Sequence, residues 1–155
     1  PGFVLGDFLN EKTCTSMEYA KQLLQGKYPA APKFSVMISH VKDVAKAHVL
    51  SLTNKRAGGR RLIVGSDVRS ILEISQIMAK NIPSHAKKLP KRELPNFMVK
   101  LLSYIDTSAK TMVPDLGLIM QTDQTYAEDI LQMKFMASEI AVVDAAKSVI
   151  RLNLA

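Results

Sequence analysis

Three histidines, four tyrosines and one cysteine are the side chains here whose types could move protons, bind metal or attack a carbon. A tyrosine becomes a proton donor to a carbonyl oxygen when a lysine one helical turn later lowers its pKa. The four tyrosines lack that partner. Four residues on, Tyr19 meets Leu23, Tyr28 meets Pro32, Tyr104 meets Ser108 and Tyr126 meets Ile130. A dinucleotide phosphate needs a G-x-G-x-x-G turn between a strand and a helix, so that the pyrophosphate meets helix N–H groups. No such turn occurs, and Gly58-Gly59 leads into Arg60-Arg61 and an apolar run. His40 and Asp43, three apart, have the types of a metal or acid–base pair. The reading preferred here is a histidine at the edge of the core beside an aspartate that caps a helix. No Cys/His cluster has zinc spacing, and Cys14 has no second cysteine to pair with. The residues alone spell out no complete active site.

The totals bound the class. The chain has 155 residues, enough to bury a core as one domain. Hydrophobic residues make up 47% and charged residues 23%, an ordinary globular balance. No run approaches the ~18–20 apolar residues of a membrane span, so no membrane role is expected. A lone cysteine fits a reducing, cytoplasmic setting. The net charge of +7 permits an anionic partner. Its two densest runs, 55–61 and 87–92, hold no aromatic residue that would stack on bases. They read as solvated loops, and no nucleic-acid partner is expected.

Short apolar runs alternate with helical periods, which indicates α/β or α+β architecture. Residues 1–6, PGFVLG, read as a strand. Residues 16–26 read as a helix with Ser16 as N-cap and Gly26 just past its end. Pro29 to Pro32 read as an extended loop, and FSVMISHV, 34–41, as a strand. Asp43 is the expected cap of the next helix, which runs to about Asn54. A strand is expected at 61–65. Ser70 and Glu73 form a capping box for a helix to about Asn81. Residues 87–90 are expected to be extended before Pro90. Pro95 opens a helix carrying Phe97, Met98, Leu101, Leu102 and Ile105. Residues 107–122 read as irregular, a short helix as 125–131, and a last helix as starting near Ser138 with a glutamate placed to cap it. The strands are few and short, which makes a poor independent sheet. An edge with unpaired N–H and C=O groups wants a neighbour, so a second copy of the chain is one expected occupant of the edge of 1–6.

In order, PGFVLG, QGKYPAAP, HVKDVAKAHVLSL, GRRLIVGS, SILEISQIM, KLPKRELPNFMVKLLSY and DQTYAEDIL resemble the C-terminal half of extended short-chain dehydrogenase/reductases. The dihydroflavonol-reductase-like and aldehyde-reductase-like members are the most similar. The resemblance runs from Pro1 to about Leu152. It implies the last Rossmann strands joined to a mostly helical substrate-binding subdomain over 1–155. The Gly-rich turn and the Tyr-x-x-x-Lys pair would lie in an N-terminal half that this chain lacks.

The resemblance further implies an NAD(P)H-dependent reduction of a small ketone or aldehyde by the intact protein. The cofactor would be NADP or NAD, with none bound to this chain alone. Pro1, Gly2, Phe3 and Val4 match the segment lining the nicotinamide, and Ser16 matches a serine near the cofactor phosphates. Met37 and Ile38 would face substrate, as would parts of 97–105. The sequence departs from the family at Asp7, where proline is common, and at Gln132, where glycine is usual. Gln132 therefore predicts a helix end without a left-handed turn. A non-catalytic relative that holds a ligand or a partner protein is the alternative reading.

Overall fold

The computed structural model describes residues 1–12, 14–104, 109–110 and 113–155. Thr13 and Ile105 lie outside the described residues, as do 107, 108, 111 and 112 of the stretch expected to be irregular. Five strands are described: β1 (Phe3–Leu5), β2 (Ala31–Pro32), β3 (Ser35–His40), β4 (Val68–Ser70) and β5 (Glu93–Leu94). The described helices are α1 (Thr15–Leu24), α2 (Val41–Thr53), α3 (Ile71–Asn81), α4 (Asn96–Leu102), α5 (Thr125–Leu131) and α6 (Ser138–Arg151). The main sheet has the order β1-β3-β4. Strands β1 and β3 are parallel, with Phe3 opposite Ile38 and Leu5 opposite His40. Strand β4 runs antiparallel to β3, with Met37 opposite Val68. Strands β2 and β5 form a separate parallel pair. Among the described residues no helix is long and apolar enough to cross a membrane.

The main core joins Leu5 and Ile38 of the sheet to Leu23 and Leu24 of α1, Ile71, Ile74 and Met78 of α3, and Ala141, Val142, Ala145, Ala146 and Val149 of α6. These apolar residues recur at three- and four-residue steps along each helix, the pattern that makes one buried stripe. A smaller cluster joins Ala47 of α2, Val64, and Ile130 and Leu131 of α5 to Met133.

The helix ends show which local signals won. The capping box of α3 is present: Ser70 Oγ accepts the Glu73 N–H at 3.2 Å, and Glu73 accepts the Ser70 N–H at 2.7 Å. Gly26 adopts φ +74° past the end of α1. Its N–H donates to Leu23 O and that of Lys27 to Gln22 O, the paired bonds of a Schellman ending. Ser16, however, is not the N-cap of α1. The cap position is Cys14, which makes no side-chain capping bond. Asp43 does not cap α2 either. His40 does, with Nδ1 accepting the Lys42 N–H at 3.1 Å. Asp43 is buried and instead accepts the Met136 N–H at 2.7 Å, tying α2 to the chain before α6. The glutamate cap expected for α6 is absent too: Ala137 holds the cap position without a side-chain bond.

Two extended segments fall elsewhere than expected. Residues 61–65 form no strand. The chain beside β3 carries Ser66 and Asp67 against the single residue Ile38, with Ser66 N–H to Ile38 O at 2.8 Å and Ile38 N–H to Asp67 O at 3.0 Å. Two residues against one is the arrangement of a bulge, and pairing resumes only at Val68. Residues 87–90 are not extended. Turn bonds from His85 to Ile82, Ala86 to Pro83 and Lys88 to His85 wind that stretch.

Gln132 corrects the expectation drawn from its side chain. It adopts φ 50°, ψ 45°, the left-handed conformation, at the end of α5. Its side-chain amide donates to Asp129 O at 2.6 Å. A non-glycine residue carries a steric cost of about 1–2 kcal/mol there. Gln132→Gly is therefore expected to stabilise the fold by roughly 0.5–1 kcal/mol net of the lost amide bond, read as a higher urea midpoint. A lower midpoint would show that the amide bond outweighs the strain.

Two carboxylates give the fold a pH dependence. Bonding from the Ser70 N–H holds Glu73 below its ordinary 4.5, against burial. Burial pushes Asp67 up, but the hydroxyl and N–H of Ser138 and the charge of Arg69 outweigh it and hold the carboxyl below 3.8. A folded-state pKa below the unfolded value adds stability above the unfolded value, which is lost as pH falls through the folded one. Stability set by these two groups is thus expected to be flat from neutral pH to roughly pH 5 and to fall below it. The Asp67→Asn variant should be less stable at neutral pH and show a shallower acid limb in thermal melts.

Candidate functional site

The N-terminal end of β1 is where sequence reasoning placed the cofactor side of a site. Its backbone is held by a buried hydroxyl. Ser39 on β3 is fully buried. Its Oγ accepts the Gly2 N–H at 2.9 Å and donates to Val64 O at 2.7 Å. One side chain thereby joins residue 2, β3 and the chain leading to the bulge. Strand alternation places Met37 and Ser39 on the face opposite Ile38.

Two glycines close on Met37. A Cβ on Gly2 would sit 2.3 Å from Met37 O, and one on Gly65 would sit 2.8 Å from Met37 Sδ. Both distances are below contact, but only Gly2 meets backbone, so Gly2 needs glycine for close approach while the Met37 side chain could shift away from Gly65. Pro1 and Gly2 are exposed while Met37 is buried. Three of the expected residues, Pro1, Gly2 and Met37, are thus adjacent. Val4 is half-buried. Phe3 meets the edge of Tyr19 with ring centroids 5.8 Å apart, and Tyr19 lies 5.2 Å from Tyr28.

The remaining expected residues sit apart from that group. Ile38 is fully buried in the main core. It contributes packing there. Ser16 is the second residue of α1, half-buried, and no hydrogen bond joins it to Pro1–Val4.

The titratable groups arrange themselves structurally. His40 is buried, and because Nδ1 accepts a backbone N–H, its proton is on Nε2, 3.3 Å from Asp144 Oδ2. His40 and Asp43 therefore serve different partners and form no acid–base pair. Burial raises the Tyr19 phenol far above its ordinary value, and the neighbouring Tyr28 adds to this. Its hydroxyl is buried without a hydrogen-bond partner among the described residues, which makes it a poor proton donor to a substrate. Among the described residues no group of three His, Cys, Asp or Glu side chains could hold a metal ion.

Two cavities lie near the strand pair β2–β5, one of them against α4. One of about 240 Å³ is walled by Tyr28, Ala30, Pro32, Leu94, Met98 and Leu102. Another of about 410 Å³ lies between Lys33–Ser35, Val68 and the segment 117–120. Neither is lined by Pro1–Val4 or Ser16. The outer side of this region is apolar and open. Phe97 is 70% exposed, Leu101 68%, Tyr104 87% and Ile119 82%. Sequence reasoning missed Ser39 and Gly65. The one visible signal was a serine in an otherwise apolar strand, and Gly65 read as a strand end.

No family model matches the chain. A tetraketide alpha-pyrone reductase 2 from Arabidopsis thaliana is 32% identical over 85 residues, which are 55% of this chain and 26% of that protein. The yeast methylglyoxal/isovaleraldehyde reductase Gre2, solved with NADPH, superimposes with a TM-score of 0.66 at 19% identity, over 97% of this chain and 45% of its own. Vestitone reductase from alfalfa superimposes with a TM-score of 0.65 at 22% identity, over 99% of this chain and 44% of its own. The chain spans less than half the length of these solved reductases. It has the mixed α/β fold of the C-terminal portion of these solved reductases.

Proposed function

We propose that this chain is the substrate-binding part of an NADPH-dependent reductase that acts on a small ketone or aldehyde. In this reading it works joined to a Rossmann half that carries the phosphate turn and the tyrosine–lysine pair. The observation that carries the reading is the match of nearly the whole chain to less than half of two reductases. The open apolar face of α4 and 118–120 supports it, since large exposed apolar patches mark surfaces that meet something.

The residues divide the work. Pro1 and Gly2 present exposed backbone, and a proline there fixes φ and offers no N–H. With Phe3 and Val4 they would line one side of a nicotinamide. Met37, pressed between Gly2 and Gly65, would set the depth of that wall. Ser16, in the first turn of α1, would stand near the cofactor phosphates, where helix N–H groups suit an anion. The bound cofactor would supply the hydride. The groups described here fit a flat ring against backbone and apolar side chains. They include no turn for a pyrophosphate, and no proton donor faces Pro1–Val4.

Titration of the purified chain with NADPH, followed by nucleotide fluorescence, is expected to show no saturable change. The chain joined to a Rossmann half from a related reductase is expected to bind NADPH and reduce a small aldehyde. Gly2→Ala in that joined protein should weaken NADPH binding about tenfold or more, because the new Cβ displaces Met37. Saturable micromolar binding or turnover by the chain alone would overturn the reading. A joined, folded protein that binds no NADPH would favour a non-catalytic relative.

A further inference from the structure

The turn between α3 and β5 concentrates charge without neutralising it. Lys87, Lys88, Lys91 and Arg92 are exposed, and residues 82–92 contain no acidic side chain. None of the four is in an ion pair among the described residues. A Cβ on Gly26 would lie 3.1 Å from Lys88 Cβ, which puts the end of α1 against this turn. Glu93, the next residue, lines a different cavity with Lys33 and Glu73. Like charges this close repel one another, and a mobile loop would let them spread.

This turn is not free to spread. Leu89 is 3% exposed and belongs to the main core. Pro90 O accepts the hydroxyl of the buried Ser75 at 2.7 Å, and Arg92 O accepts the Ala31 N–H at 2.9 Å. The backbone that carries the cations is thus held in place. Between them opens a cavity of about 320 Å³, with Ala79, Ala86, Leu89 and Pro90 as apolar lining and Lys87, Lys91 and Gln76 as its polar groups.

We infer that this end of the molecule docks an acidic peptide segment of a partner protein, with one apolar side chain seated between Lys87 and Lys91. A single small carboxylate would meet only the two lysines of the cavity. Lys88 and Arg92 lie outside it and match a ligand whose negative charge extends along a chain. A peptide also fits better than a nucleic acid. No aromatic side chain lies within 82–92 for a base to stack on, and an apolar lining suits an aliphatic side chain. The inference rests on this surface alone and is independent of the reductase reading.

The test uses the full chain and a short fluorescein-labelled peptide of Asp and Glu with one central leucine, followed by anisotropy. Saturable binding is expected, weakening steeply as salt rises. The Lys87→Glu/Lys91→Glu variant should bind about tenfold or more weakly, and Lys87→Gln/Lys91→Gln should fall between it and the parent. Serine in place of the leucine should weaken binding several-fold, by the loss of one buried aliphatic side chain. Arg60→Glu/Arg61→Glu, on the other basic run, should change nothing, and all variants should keep the parent's far-ultraviolet circular dichroism. The inference is overturned by absent binding, by indifference to the leucine, or by equal losses at both basic runs. Equally tight binding of an oligonucleotide or an anionic vesicle of matched charge overturns it as well.

Discussion

The fold depends on how closely α6 can approach everything around it. Its buried face is Ala141, Val142, Ala145, Ala146 and Val149, each 0% exposed. Small residues there let the helix meet α1, α3 and β3 together. A larger side chain on that face would push at least two elements apart, since interiors are packed with few voids. Polar ties fix both ends. At the start, Asp67 accepts the N–H and hydroxyl of Ser138 at 3.2 and 2.9 Å, and Arg69 donates to the same hydroxyl at 3.0 Å. At the end, Asp7 accepts bonds from Ser148 and Arg151. Packing supplies the energy, and these ties set where along its axis the helix stops.

The departure at Asp7 is explained by the same ties. A proline there could not accept from Arg151 or Ser148. Those bonds, with Arg151 foremost, hold the Asp7 carboxyl below its ordinary value. The aspartate thus gives β1 an attachment to α6 just past the strand. The second departure, Gln132, has a parallel explanation. The chain must reverse after α5 so that Leu131 and Met133 can both enter the smaller core. That requirement outweighs the steric preference of glutamine.

These cases mark what could be read from the sequence. Helix existence was legible because apolar spacing and caps are local: the Ser70–Glu73 box and the Gly26 ending are written within a few residues. Caps and turns satisfied by distant residues were not. Asp43 reads as a cap but binds Met136, 93 positions away, and α6 is capped by an aspartate from beside β3. The strand expected at 61–65 has strand-like residues, yet the bulge at Ser66 and Asp67 moves regular pairing to Val68. Nothing local announces a bulge. For the candidate site, the grouping of Pro1, Gly2 and Met37 came from the family resemblance in the order of motifs rather than from spacing. A short strand does not reveal which of its faces meets the larger core, and here that face carries Ile38.

The surface divides the same way. The two basic runs look alike in sequence, but only the second contains fully buried residues, Leu89 and Pro90, while the first reaches the smaller core through half-buried Ala57. In the first, Arg56 pairs with Asp129 at 2.6 Å, and Gly59 has nothing near its missing Cβ, which is the pattern of a solvated turn. In the second, Leu89 is buried and the backbone on either side of Lys91 is hydrogen-bonded to other elements. A held backbone keeps these like charges on neighbouring positions, where they repel one another. The fold carries that cost at the α3–β5 turn and carries an open apolar face at α4. The chain therefore has two surfaces of opposite chemistry, and no single ligand is suited to both.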